Sequence, residues 1–294
     1  MKARFRVAKL ALFSIPALIV LLAVLIFPLV YSLNSSFFRW SIARPFLGST
    51  FVGLGNYANA LTDPAFLRAL FNTLLFTLLA VIIEVILGLG IAHLFIGDFP
   101  AKEFFQTVLF LPVVVTPVAV GVIWRILLQT DVGLVCYVLA HLSGRAVTIL
   151  SDPVAAFAAI VLIDVWQTTP FAFVMLLAAL ESLPRDPYEA AYLDGANWHQ
   201  RLRYLTLPLL QPVLMVVIVI RVMDAFRIFD TIYILTGGGP GDATESVSTY
   251  TYRVAFQYFN TGYASALSYL TLLLTAALTL GSVLLFRSRR ASAT

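Results

Sequence analysis

Charge is scarce in this sequence. Only 12% of its 294 residues are Asp, Glu, Lys or Arg, whereas 61% are hydrophobic. A soluble globular domain is typically about a quarter charged and about half apolar. That class is excluded, and the chain reads as an integral membrane protein. Cysteine is almost absent: Cys136 stands alone, which excludes an internal disulfide, and its apolar neighbours make it a small packing residue. His93, His141 and His199 are far apart and belong to no metal-ligand cluster, so no metal site is expected. No G-x-x-x-x-G-K-[ST] run occurs, and Gly237-Gly238-Gly239-Pro240-Gly241 has no Lys after it. The chain therefore has no cradle for nucleotide phosphates. Energy for any pumping has to come from a partner or from an ion gradient. The net charge of +4 is small and points to asymmetric loops, not to a nucleic-acid partner.

What is abundant is apolar sequence. A helix needs about 20 apolar residues to cross a bilayer. Six segments meet that length: Ala11–Leu33, about Phe71–Phe95, Phe104–Leu128, Pro153–Leu180, Leu209–Leu235 and Ala264–Phe286. The expected fold class is an all-α integral membrane protein with six transmembrane helices. The first run follows a basic start, but it is too long for a signal-peptide core and ends in no small-x-small site, so it reads as a retained anchor. Lys and Arg mark the cytoplasmic side. With the N-terminus inside, Lys2, Arg4, Arg6, Lys9, Lys102, Arg185, Arg201, Arg203, Arg287, Arg289 and Arg290 fall inside, against Arg39, Arg44, Arg68, Arg145 and Arg253 outside. Both termini are then cytoplasmic. The expected organisation is an anchor helix and first outer segment over 1–70, then a core transmembrane domain over 71–294 with a cytoplasmic loop at 182–208. Of the outer segments, the first reads as an ordered turn around Gly53, Gly55 and Asn56, and TGGGPGDATESVSTY reads as a flexible Gly-Pro loop.

The stretch EAAYLDGANWHQRLRYLTLP, Glu189 to Pro208, is a polar loop of helical pattern. Asp186-Pro187-Tyr188-Glu189 reads as a capped helix start. Gly195 can end that helix in a left-handed conformation, and Asn197 can cap a second helix carrying Trp198, Leu202 and Leu205 on one stripe. Such an element suits docking of a soluble partner, an interfacial position on lipid, or a solvated connector.

Glu189-Ala190-Ala191, Asp194-Gly195-Ala196 and Leu207-Pro208 resemble the EAA signature of permease subunits in binding-protein-dependent ABC importers. In that family this loop is the coupling helix, seated in a groove of the ATP-binding subunit. The resemblance implies an ATPase-coupling role for Glu189, Ala190, Ala191, Asp194, Gly195 and Arg201. It extends over PFLGSTFVGLGNYANALTDPAFLRALFNTLLF, FFQTVLFLPVVVTPVAVGVIW and FDTIYILTGGGPGDATESVSTYTYRVAF, which are similar to the first permease of the maltose and glycerol-phosphate type. It implies a type I (MetI-like) permease fold in the bacterial inner membrane and a non-catalytic subunit of a sugar importer. It also implies a second homologous permease, an ATP-binding subunit dimer that holds ATP and Mg, and an extracytoplasmic substrate-binding protein. The carbohydrate implied is a disaccharide, such as trehalose or maltose, or a glycosyl polyol.

A charge at mid-bilayer costs about 2.5–3.5 kcal/mol or more and should face protein or a watery cavity. Arg221, Asp224, Arg227 and Asp230 recur every third residue with alternating sign. They suit a salt-bridged seam between helices or a polar wall along a pathway, and Asp164 can pair with Arg221 or Arg227. Asp164, Gln167, Thr168 and Phe171 share one helix face. The resemblance places the sugar against these four and against Arg221, Asp224, Ala225 and Ile228. Many of the residue types differ from the relative's, so the sugar or its grip differs. Packing alone also accounts for Phe171 and Ile228. Glu84 receives no transport role, Arg125 can snorkel outward, Pro112 and Pro117 kink the third span, and Gly88 and Gly90 allow close helix approach. Two rival readings remain. One is an ion-gradient-driven secondary transporter, for which no inverted repeat is visible. The other is a membrane enzyme using Asp164 and Asp224.

Overall fold

The computed structural model describes residues 15–16, 18–43 and 48–291, with 285–291 as backbone alone. Lys2, Arg4, Arg6, Lys9 and Arg44, and the side chains of Arg287, Arg289 and Arg290, lie outside the described residues. Among the described residues, five helices are long and apolar enough to cross a membrane: Leu18–Ser36, Pro64–Leu94, Pro153–Glu181, Trp198–Ala225 and Thr261–Leu284. A sixth span is counted when Lys102–Val114 and Pro117–Leu127, bent by 93°, are taken together. The kink expected in the third segment is thus a full break. Pro112 and Pro117 flank it; Val115 is extended, and Thr116 is extended as the residue before a proline prefers.

The chain divides into two compact units. One holds residues up to Leu67 with Thr251–Leu272. Here a short antiparallel pair, Phe38–Arg39 against Thr50–Phe51, precedes the helix Gly55–Thr62. Asn56, buried, donates from Nδ2 to the carbonyls of Ser36 (2.8 Å) and Phe38 (3.0 Å). That amide supplies the order expected around Gly53 and Gly55. Tyr263 reaches Asp63 through its hydroxyl (2.8 Å), and Tyr269 reaches the carbonyl of Leu29 (2.6 Å).

The second unit, Arg68–Tyr250 with the residues from Leu273 onward, is built around Pro153–Glu181. Asp152 caps that helix by accepting from the Ala155 amide at 2.7 Å, and Pro153 fills its first turn. Its most apolar window is 61% buried, against 28% for Trp198–Ala225. It is therefore wrapped on most sides, with Phe76, Val120, Ile160 and Ile232 in one core cluster and Phe95, Phe173, Leu176 and Leu210 in another. Inside a bilayer such contacts hold through close packing, because lipid tails are as apolar as the side chains.

The segment 236–246 is tied down, contrary to the expectation of flexibility. Thr244 donates to the Gly239 carbonyl (2.6 Å), Ser246 to that of Ile228 (2.9 Å), and Asn72 Nδ2 to those of Asp242 and Glu245 (3.1 Å each). Short polar side chains replace the ladder bonds that a loop lacks.

The fifth expected segment is also shorter than its apolar pattern. Its helix stops at Ala225, and a separate helix spans Asp230–Leu235. No Pro or Gly causes the stop. Phe226 is fully buried, and the Ile228 carbonyl is satisfied by Ser246 instead of by a further helical turn. Tertiary packing overrides the local pattern here.

Candidate functional site: a charged cavity and a helical loop

Two places collect the residues singled out from the sequence. The first is a cavity of about 810 Å3 in the second unit. Asp164, Gln167, Thr168 and Phe171 from Pro153–Glu181, and Arg221, Asp224, Ala225 and Ile228 from the end of Trp198–Ala225 and the turn after it, all line it. The helix break contributes Val113, Val115 and Pro117.

The break explains one polar side chain. It frees backbone carbonyls, and an unpaired one in a bilayer costs several kcal/mol. Gln167 Nε2 donates to the Val115 carbonyl at 2.9 Å, which leaves the amide oxygen of Gln167 for other partners. Phe171 and the buried Ala225 and Ile228 supply apolar wall; Ala225 and Ile228 also belong to the core.

Arg221 organises the charges. Its side chain is 3% exposed. Nε and Nη2 donate to Glu84 Oε2 (2.5 Å) and Oε1 (2.8 Å), Nη2 also to Asp164 Oδ2 (2.9 Å), and Nη1 to Asp224 Oδ2 (2.7 Å). The Thr168 hydroxyl sits 2.7 Å from Glu84 Oε1 and 2.6 Å from the Asp164 carbonyl. Glu84, which received no transport role from the sequence, thus holds the Arg221 guanidinium at the cavity. Its signal was available: a lone carboxylate within an apolar span requires a partner.

The repeating stripe is corrected at its second half. Arg221 and Asp224 pair, as i, i+3 spacing allows. Arg227 lies beyond the helix end with Nε donating to the Met223 carbonyl, and Asp230 opens the next helix. Arg125 does not simply point outward; it donates to the Ile234 carbonyl at 3.0 Å.

The second place is the loop 182–208. The helix Asp186–Leu193 begins one residue earlier than expected: Arg185 is the cap, and its carbonyl accepts from the amides of Tyr188 and Glu189. Asp186 therefore stands in the first turn instead of capping. Gly195 has φ +75°, the left-handed value expected of it. The Ala196 amide returns to the Ala191 carbonyl (2.9 Å) and the Gly195 amide to that of Tyr192 (3.1 Å), a Schellman closure. Asn197 and Gln200 form a reciprocal capping box. The helix it starts runs through a π-helical turn, Leu202–Thr206, into the long apolar helix. Tyr188 braces the two arms by a 3.0 Å bond to Thr206 Oγ1. Glu189, Ala190, Asp194 and Gly195 are exposed, and Ala191 and Arg201 half-buried. Tyr192 and Leu193 are 72% and 86% exposed on a rigid two-arm element. Beside it lies a cavity of about 1140 Å3, lined by Glu189, Tyr192, Trp198 and Arg201 among others.

Comparison with known proteins decides the family. Residues 84–293 match the family described as binding-protein-dependent transport system inner membrane component. The chain belongs to this family. It is 39% identical over 267 residues to y4oQ of Sinorhizobium fredii, a probable ABC transporter permease protein, covering 91% of this chain and 86% of the relative. It is 38% identical to MalF of Thermococcus litoralis, a trehalose/maltose transport system permease protein, over 98% of this chain and 97% of the relative. Its fold matches that of a solved bacterial ABC transporter involved in import of the acidic polysaccharide alginate, with a TM-score of 0.81 over 98% of both chains at 23% identity. The chain is an ABC importer permease, a non-catalytic membrane component that works with a substrate-binding protein and with ATPase subunits that hydrolyse the nucleotide. This assignment replaces the ion-gradient and membrane-enzyme alternatives.

Proposed function

We propose that this permease forms half of the pathway of an ATP-driven importer of a disaccharide or glycosyl polyol in the bacterial inner membrane, with trehalose and maltose the first substrates to test. It crosses the membrane six times with both termini cytoplasmic. Residues 1–70 serve as anchor and first periplasmic segment, and 71–294 as the transport core. A second homologous permease completes the pathway, two ATP-binding subunits carry ATP and Mg, and the chain itself holds no cofactor. The observation that carries the reading is the joint lining of one cavity by Asp164, Gln167, Thr168, Phe171, Arg221, Asp224, Ala225 and Ile228. Carboxylates, an amide and an aromatic ring are the groups that hold hydroxyls and a sugar face. The relatives y4oQ and MalF add support at nearly full length.

The loop 182–208 transmits the ATPase movement. Glu189, Ala190, Ala191, Asp194, Gly195 and Arg201 form its docking element, stiffened by the glycine closure and the capping box. When ATP closes the ATPase dimer, the two-arm element moves, and because its second arm continues into Trp198–Ala225 the motion reaches Arg221 and Asp224 directly. The switch is a two-state rocking of packed helices.

The experiment is uptake of labelled trehalose and maltose by vesicles holding the complete importer, with ATP inside and the binding protein outside. Uptake that requires ATP and the binding protein supports the reading. Uptake driven by an ion gradient without ATP overturns it.

A further inference from the structure

The pairing of Arg221 has a consequence for what the cavity accepts. A guanidinium has five N–H donors. Glu84, Asp164 and Asp224 engage four of them. That cation is therefore enclosed by carboxylates and almost fully buried. Three carboxylates line the cavity, those of Asp164, Asp224 and Asp230, and Asp224 is 63% exposed. They stand against one exposed cation, Arg227, which lies beyond the helix end with its Nε held by the Met223 carbonyl. Glu84 is fully buried and sits behind the wall, held to Arg221 by two bonds and to Thr168 by a third.

We infer that Glu84 is a positioning residue that sets the charge preference of the cavity. By holding Arg221 away from ligand it leaves Asp164 and Asp224 as acceptors for hydroxyl groups, so the cavity takes neutral polyhydroxylated ligands and rejects those bearing a carboxylate or phosphate. This rests on the sugar-pathway reading above.

The test is equilibrium binding to the complete membrane importer in lipid nanodiscs, with its ATPase held by a non-hydrolysable nucleotide and the binding protein left out. The probes are maltose, trehalose and the glucuronic-acid counterpart of maltose, which replaces one CH2OH by a carboxylate. The wild type is expected to bind a neutral sugar roughly tenfold or more tightly than the acid, since like charges brought together cost affinity. Glu84→Gln keeps the shape, weakens the hold on Arg221, and is expected to narrow that ratio to about threefold or less. A purely structural role would weaken both ligands alike and leave the ratio unchanged; that result overturns the inference, as does equal binding of acid and neutral sugar by the wild type. If no probe binds the wild type, the sugar-pathway reading falls together with it. Should Glu84→Gln fail to assemble, Glu84→Asp, a carboxylate too short to hold both Nε and Nη2 of Arg221, carries the same comparison: a narrowed ratio supports the inference and an unchanged one ends it.

Discussion

Glu84 and Arg221 stand 137 positions apart and form a two-point ion pair, Nε to Oε2 at 2.5 Å and Nη2 to Oε1 at 2.8 Å. The pair joins Pro64–Leu94 to Trp198–Ala225, and Asp164 draws Pro153–Glu181 into the same cluster. Three membrane-crossing helices therefore meet at one guanidinium. Glu84 is fully buried, so water cannot compensate its charge when the pair is broken.

Removing the cation should accordingly be severe. Arg221→Met strands two carboxylates, Glu84 and Asp164, in a low-dielectric interior, and breaking a buried pair costs about 3–5 kcal/mol. The expected outcome is a marked fall in the Tm of the purified complex, partly restored when Glu84→Gln is added to Arg221→Met. Comparison of the Tm values of both single variants and the double variant checks this. Additive losses would mean that the two side chains act independently.

Gly195 makes a different kind of contribution. Nothing lies within 4 Å of the position where a Cβ would stand, so added bulk meets no neighbour. The cost is in the backbone alone, at φ +75°, where a β-branched residue is strained by roughly 1–3 kcal/mol. Gly195→Val should uncouple ATP hydrolysis from uptake while leaving the Tm of the membrane helices nearly unchanged. Gly195→Asn, which tolerates the left-handed region, should retain most uptake. Equal uptake by the valine variant and the wild type would remove the docking role from this turn.

Asn197 tests whether the second arm must be stiff. Its side chain accepts from the Gln200 amide at 2.9 Å, and Gln200 Oε1 accepts from the Asn197 amide at 2.8 Å. Asn197→Ala loses one half of that box, worth about 0.5–2 kcal/mol of local helix stability. Hydrogen exchange over 197–206 should accelerate, and the ATPase activity of the complex should depend less on substrate-loaded binding protein. Unaltered exchange would show that the π-helical turn holds the arm without its cap.

The sequence made the face of each helix legible but not its partner. The i, i+3, i+4, i+7 spacing placed Asp164, Gln167, Thr168 and Phe171 together, and they do line one cavity. Asp164 was expected to pair with Arg221 or Arg227, and it meets Arg221 at 2.9 Å; the period of a helix does not say that Glu84, noted as a charge within a span but given no transport role, meets the same guanidinium. Gln167 was read for its side-chain chemistry, and its bond to the Val115 carbonyl became visible only once the helix break was known. The capped loop was legible in its Gly195 turn and Asn197 cap because these act within a few residues of one another, while the return bond from Gln200 was not read. Its start slipped by one residue because the helical backbone of Arg185 left Asp186 no role as a cap. The end of the helix at Ala225 was illegible, since its causes, burial of Phe226 and the hydroxyl of Ser246, lie in the third dimension.

Gly88 and Gly90 separate two uses of glycine that sequence alone merges. Both sit in Pro64–Leu94. A Cβ at Gly88 would stand 2.8 Å from the Ala172 Cβ and 3.0 Å from the Phe173 backbone nitrogen, whereas one at Gly90 would meet nothing within 4 Å. Only Gly88 therefore lets this helix approach Pro153–Glu181 closely, the way small residues hold helices together in lipid. Backbone cannot yield as a flexible side chain can, so Gly88→Val should cost roughly 1–3 kcal/mol of packing and displace the neighbouring Glu84–Arg221 pair. Gly90→Ala should be neutral or slightly stabilising, because alanine is the better helix former by about 1 kcal/mol. Tm and ATP-driven uptake of the two variants, measured side by side, check the assignment. A Gly90→Ala loss as large as that of Gly88→Val would place the close contact one turn-half further along the helix, and the Glu84 carboxylate would then need a different explanation for its position.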